Sequence, residues 1–148
     1  MNGKLFVMMF VILIPVFGCH KLPKRPEGMP ELTPCKILVT FGGEKISGVG
    51  VLLQPKERVS APWPAGGTTD EQGAAILKTA AYYEGVAPGE YFISFQKFAE
   101  PEMRPDGMAL PAKTLIPEKY SQNRSREMIT ISKEQSEYRF ELDGLPNR

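Results

Sequence analysis

From residue 35 onward the apolar positions recur at every second residue. Cys35, Ile37, Val39 and Phe41 alternate with Lys36, Leu38 and Thr40, the pattern of a strand with one apolar face. Gly42-Gly43-Glu44-Lys45 follows as a turn, since glycine takes positive φ at no steric cost. Val49, Val51 and Leu53 alternate with Gly48, Gly50, Leu52 and Gln54. This predicts a second strand and, with the first, a hairpin. A breaker-rich loop is expected over 55–67, where Trp63 lies between Pro62 and Pro64. The group Thr68-Thr69-Asp70-Glu71-Gln72-Gly73 reads as a second turn. An Asp carboxylate there can accept from the backbone two residues on, and Gly73 supplies a permissive φ. A short strand is predicted at 74–79. After the turn dipeptide Pro88-Gly89, Tyr91, Ile93 and Phe95 alternate with Glu90, Phe92, Ser94 and Gln96. Aromatics on both faces mark this strand as central and buried.

The stretch 99–125 is long and irregular, punctuated by Pro101, Pro105, Pro111 and Pro117. Two strands close the pattern. In one, Ile129 and Ile131 alternate with Met128, Thr130 and Ser132. In the other, Tyr138, Phe140 and Leu142 alternate with Glu137, Arg139 and Glu141. A one-residue slip of the last strand would bury three charges, so its register is well specified. Six strands, with a seventh near Leu115 and no long amphipathic helix, predict an all-β, antiparallel β-sandwich of six or seven strands.

The N-terminus follows a different pattern. Lys4 precedes a continuous apolar run, 5–17, and then Gly18-Cys19. The run is shorter than the ~20 residues a membrane-spanning helix needs and fits the apolar region of a secretory signal peptide. Val16-Phe17-Gly18-Cys19 resembles the lipobox of bacterial lipoproteins. That resemblance implies cleavage after Gly18 and a lipid on Cys19. Phe17 is bulkier than the residue usual there, and Pro15 stands where Leu is common. The expected organisation is a signal peptide at 1–18, a lipidated Cys with a Pro-rich tether at 19–34, the sandwich at 35–144 and a tail at 145–148. Pro23, Pro26, Pro30 and Pro34 favour an extended spacer.

Charge and composition narrow the function. The 148 residues carry 18 Lys and Arg against 17 Asp and Glu, so no basic surface for nucleic acid is expected. The single His, His20, lies in the tether beside the proposed anchor. One His and two Cys cannot assemble most zinc sites, nor a Ser-His-Asp or Cys-His nucleophile pair. Cys35 is expected to be a buried, inert thiol. Glu100, Glu102 and Asp106 could form a carboxylate site on the long loop, but such acids more commonly belong to a solvated surface. No catalytic residue, metal or cofactor is expected.

The order of motifs in the body is similar to the transthyretin-like, carboxypeptidase regulatory-like β-sandwich domains of bacterial surface lipoproteins. The matching groups are Val39-Thr40-Phe41-Gly42-Gly43-Glu44-Lys45-Ile46, Gly67-Thr68-Thr69-Asp70-Glu71-Gln72-Gly73, Val86-Ala87-Pro88-Gly89-Glu90-Tyr91, Pro117-Glu118-Lys119-Tyr120 and Phe140-Glu141-Leu142. Ala75 departs from the pattern, standing where a bulky aromatic is usual. The resemblance implies a fold and a location rather than a chemistry. Hydrolases of the transthyretin type carry several histidines and end in Tyr-Arg-Gly-Ser; this chain ends Gly144-Leu145-Pro146-Asn147-Arg148.

The expected function is that of a membrane-tethered, extracytoplasmic lipoprotein acting as a non-catalytic binding or assembly module in the cell envelope. A partner protein could be met through a sheet edge or the aromatic strand. The alternative is a carbohydrate or small-ligand binder using Trp63 and the 99–125 loop, where Met103, Arg104 and Met108 are the candidate contacts. Trp63 either plugs the end of the core or stands as a rigid platform for a sugar ring.

Overall fold

The computed structural model describes residues 24–57 and 63–144. Ten short strands form two sheets, and no α-helix occurs among the described residues. The smaller sheet is built on β1 (Lys36–Phe41), which pairs with β10 (Glu137–Leu142) along one edge. Its other edge is shared by β2 (Glu44–Lys45), opposite Thr40 and Phe41, and β5 (Ala74–Ile76), opposite Lys36 to Leu38. The larger sheet runs β7 (Tyr83–Glu84), β6 (Lys78–Thr79), β4 (Ala65–Thr68), β3 (Gly50–Pro55), β8 (Gly89–Gln96), β9 (Met128–Ile131).

The period-two pattern determines what lies between the sheets. Ile37 and Val39 of β1 and Val51 and Leu53 of β3 are buried, as are Tyr91, Ile93 and Phe95 of β8. The Phe95 ring meets Phe140 of the opposite sheet at 5.4 Å between centroids, and Tyr120 edge-on at 6.1 Å. Edge-to-face pairs of this kind add about 1 kcal/mol beyond the area they bury. Tyr120 sits on a single 3-10 turn, Glu118–Tyr120, that covers this end of the core. Tyr91 is fully buried, and its hydroxyl donates to the Ala87 carbonyl at 2.7 Å, so the one polar atom of a large core side chain is satisfied.

Asp70 and Gly73 form the predicted turn. The Asp70 carboxylate accepts from the backbone N–H of Gln72 and of Ala74, each at 2.9 Å. Gly73 takes φ 73°, and a Cβ there would lie 2.6 Å from the Val39 carbonyl oxygen. The turn therefore presses against β1, and Val39 donates to the Gly73 carbonyl at 2.8 Å.

Several local expectations need correction. β1 does not pair with β3; it turns back on the two residues of β2, and the chain then crosses to the other sheet. Three buried residues, Val49, Val51 and Leu53, serve the core equally well from the facing layer. The sheets are not wholly antiparallel either, since β1 and β10 run parallel in the register Lys36↔Glu137 to Phe41↔Leu142. β10 arrives from β9 of the opposite sheet, so a crossover sets its direction rather than a hairpin. The strand expected at 74–79 is broken in two: β5 joins the small sheet, β6 the large one, and buried Leu77 marks the switch. Part of the predicted 55–67 loop is β4, whose Ala65, Gly66 and Gly67 lack an apolar period. Near Leu115 there is only a bridge between Phe98 and Thr114.

The proline-rich stretch 24–34 lies on the body rather than apart from it. Met29 and Thr33 are buried. Thr33 and Val86 exchange two backbone hydrogen bonds at 2.9 Å, the Tyr83 hydroxyl donates to the Lys24 carbonyl at 2.9 Å, and Lys133 pairs with Glu31 at 2.8 Å. Extended backbone is what prolines favour, and it is also what a bridge to the body requires. Cys19 and the tail 145–148 lie outside the described residues.

Candidate functional site

Among the described residues, the most exposed feature grows from the end of β8. Residues 100–114 are exposed without interruption. They do not wander as a coil. The chain folds back as an irregular hairpin arm closed at its base by Leu115 donating to the Lys97 carbonyl at 2.7 Å and Ala99 to Lys113 at 2.8 Å. Farther out, Leu110 donates to Glu102 and Arg104 to Met108, both at 2.8 Å. Gly107 turns the tip at φ 81°. The tip residue Asp106 accepts from the Met108 N–H at 3.1 Å and pairs with Arg104 at 3.3 Å.

Three of the four sequence-predicted contact residues sit on this arm. Met103 and Met108 are 66 % and 62 % exposed and lie near its tip. Arg104 is held between them by Asp106, so its guanidinium is neutralised locally. Leu110 and, at the base, Phe98 extend the apolar surface. The sequence reading passed over both, because proline punctuation hid the pairing that lines them up. Methionine side chains are unbranched and polarizable and adapt to irregular partner surfaces. Glu100, Glu102 and Asp106 are spread along the arm, and Asp106 serves the turn.

Trp63 is elsewhere. It precedes β4, whose Ala65 pairs with Leu53, and so it lies at the Pro55 and Tyr91 end of the large sheet. The arm leaves from the opposite end, beyond Gln96 and Gly50. At about 3.4 Å per residue along β8, the two are on the order of 25 Å apart. Trp63 and the arm therefore do not share one binding surface. Trp63 is half-buried. Its neighbour Pro64 accepts from the Ala80 N–H at 3.3 Å, which sets Trp63 beside the turn that carries Tyr82 and Tyr83. Those two rings meet edge-to-face at 6.5 Å, and Tyr82 is 57 % exposed. Ala80 and Ala81 both take positive φ, 50° and 65°.

Two other groups bear on the chemistry. Cys35 is buried beneath the sheets, and burial pushes its thiol up to about 11; the nucleophilic thiolate is correspondingly scarce near neutral pH. The aromatic strand β8 is central in its sheet and buried on one face, so it offers no docking edge. Edge strands are found elsewhere: β10 ends the small sheet, with Glu137, Arg139 and Glu141 as its outward side chains, and β7 and β9 end the large one.

No protein-family model matches the chain, and no curated protein matches it. Two solved structures match, both of BcpA, the major pilin subunit of Bacillus cereus. One, a variant form, is 14 % identical with a TM-score of 0.43, covering 79 % of this chain and 31 % of that one. The other is 16 % identical with a TM-score of 0.35, covering 75 % of this chain and 29 % of that one. The chain thus spans about a third of the length of the pilin subunits it is compared with.

Proposed function

We propose that this protein is a lipid-anchored, extracytoplasmic β-sandwich module without catalytic activity, and that it presents the 97–115 arm to a protein of an envelope assembly. The carrying observation is the arm itself: fifteen consecutive exposed residues, ordered by backbone hydrogen bonds, with two methionines and a leucine held out from the body. A loop of this length in a compact domain is commonly functional, and an ordered apolar projection loses less entropy on docking than a disordered one. The anchor rests on the lipobox-like Val16-Phe17-Gly18-Cys19 and the preceding apolar run. Transthyretin-like character is the finer assignment, supported by the Asp70 turn and by the buried Tyr91 that follows Pro88-Gly89.

The test uses the full chain in cells. A photo-reactive residue at position 108 is expected to capture one reproducible envelope protein, while one at exposed Glu71, on a separate turn, captures none. Equal, scattered capture from both positions overturns the arm assignment. A Cys19→Ala variant that still sediments wholly with membranes overturns the anchor.

A further inference from the structure

The anchor reading, together with the packed tether, fixes which end of the molecule lies near the bilayer. Lys24 is held against Tyr83 at the Trp63 end of the larger sheet. Only four residues, 20–23, separate Lys24 from Cys19, so the two are five residue steps apart. Fully extended chain spans at most about 3.6 Å per residue, so this end lies within about 18 Å of a lipidated Cys19. A long free spacer would leave the body's orientation open; this short leash does not.

The same end carries an exposed aromatic group. Tyr82 projects from the 80–82 turn, Tyr83 packs edge-on against it, and the backbone bond from Ala80 to the Pro64 carbonyl brings the segment carrying half-buried Trp63 up to the same turn. Tryptophan and tyrosine are the side chains that favour the boundary between water and acyl chains, having an apolar body and a polar handle. Of the nearby charges, Lys56 pairs with Glu90 and Lys133 with Glu31, each at 2.8 Å, while Lys24 and Arg25 add two further cations at this end. The rings supply an affinity that needs no anionic lipid, separate from whatever these cations add.

We propose that the Trp63–Tyr82 end of the sandwich rests in the headgroup layer of the membrane that holds the lipid on Cys19, a contact that stands the molecule on end and turns the 97–115 arm away from the bilayer. This rests on the anchor reading above. The docking itself is an interfacial contact of aromatic rings that does not depend on lipid charge. A lipid and a second, weak interfacial contact together restrain the body as neither does alone.

Trp63 is the only tryptophan in the chain, so tryptophan emission reports this end by itself. Native protein is purified from membranes and reconstituted into phosphatidylcholine vesicles, with and without lipids brominated near the headgroup. The mass of the Cys19 peptide is measured on the same sample. Emission should be quenched roughly twofold or more by the brominated lipid, as for a ring at the interface. The quenching should survive high salt, weaken in Tyr82→Ser, and be unchanged in Lys45→Ser, an exposed position near Lys97 at the far end. Emission indifferent to bromination while Cys19 carries lipid overturns the docking and leaves the anchor standing. Quenching abolished by salt overturns it too, because charge would then supply the contact. An unmodified Cys19 overturns the anchor, and the docking falls with it.

Discussion

At Gly73 a turn and a strand come within contact distance, and both the φ of 73° and the 2.6 Å approach to the Val39 carbonyl exclude a side chain. Gly73→Ala is expected to cost about 2–4 kcal/mol, from left-handed strain plus a displaced β1. Urea unfolding would show it as a lower midpoint with an unchanged slope. Ala80 and Ala81 present the opposite case. They form a tight turn in the left-handed region with residues that disfavour it, where Asn-Gly is the preferred pair. The double change Ala80→Asn with Ala81→Gly should raise stability by about 1–2 kcal/mol, seen as a higher Tm. The turn at Asp70 was legible from residue types, because an Asp followed three places on by Gly has few other uses. The turn at Ala80 was not, since nothing in two alanines announces positive φ.

Among the elements, β10 depends most on ionised side chains. Glu137 is held below the usual carboxylate range by Lys36 and then Arg139, Glu141 by the Thr40 hydroxyl and the Gly43 N–H, and Asp143 by Lys119 and Tyr120. Each lowered carboxyl stabilises the fold fully above its unfolded pKa, and the contribution is lost as pH falls through the folded value. Thermal stability is therefore expected to decline below about pH 4, the ordinary carboxylate range. Glu141→Gln should flatten that decline in a pH series of melting curves. The groups are exposed and screened, so the effect is graded rather than a sharp transition. The alternation of Tyr138, Phe140 and Leu142 made this strand plain in the sequence. Its parallel partner was not, because periodicity reports which face of a strand is buried and says nothing of its neighbour. β4 escaped for a simpler reason: two of its four residues are glycine.

For the molecule as a whole, the informative property is polarity along its length. The tether and aromatic group occupy one end, and the arm leaves from the other. The arm contributes little to the core. Its base is closed by Leu115 to Lys97, and burial resumes only at Ile116. Replacing residues 100–112 with two glycines should leave the melting temperature within a few degrees of the parent while abolishing partner capture. A fall in Tm comparable to that of Gly73→Ala would instead make the arm a structural cover. Met103, Arg104 and Met108 could be singled out from the sequence as exposed and adaptable. Their distance from Trp63 could not, since it follows from strand register, which only the paired sheets reveal.

The parallel ladder between β1 and β10 joins the first strand of the described body to the last, across roughly a hundred residues. Closing so long a loop must precede the reward of the contact, which slows folding. It also sets an order in time. While the chain is being made, β1 has no partner along one edge until Glu137–Leu142 has emerged. That edge of β1 therefore stays unpaired, and the small sheet incomplete, until β10 has been made. β10 acts as a latch, and the two sheets are locked together only when it docks.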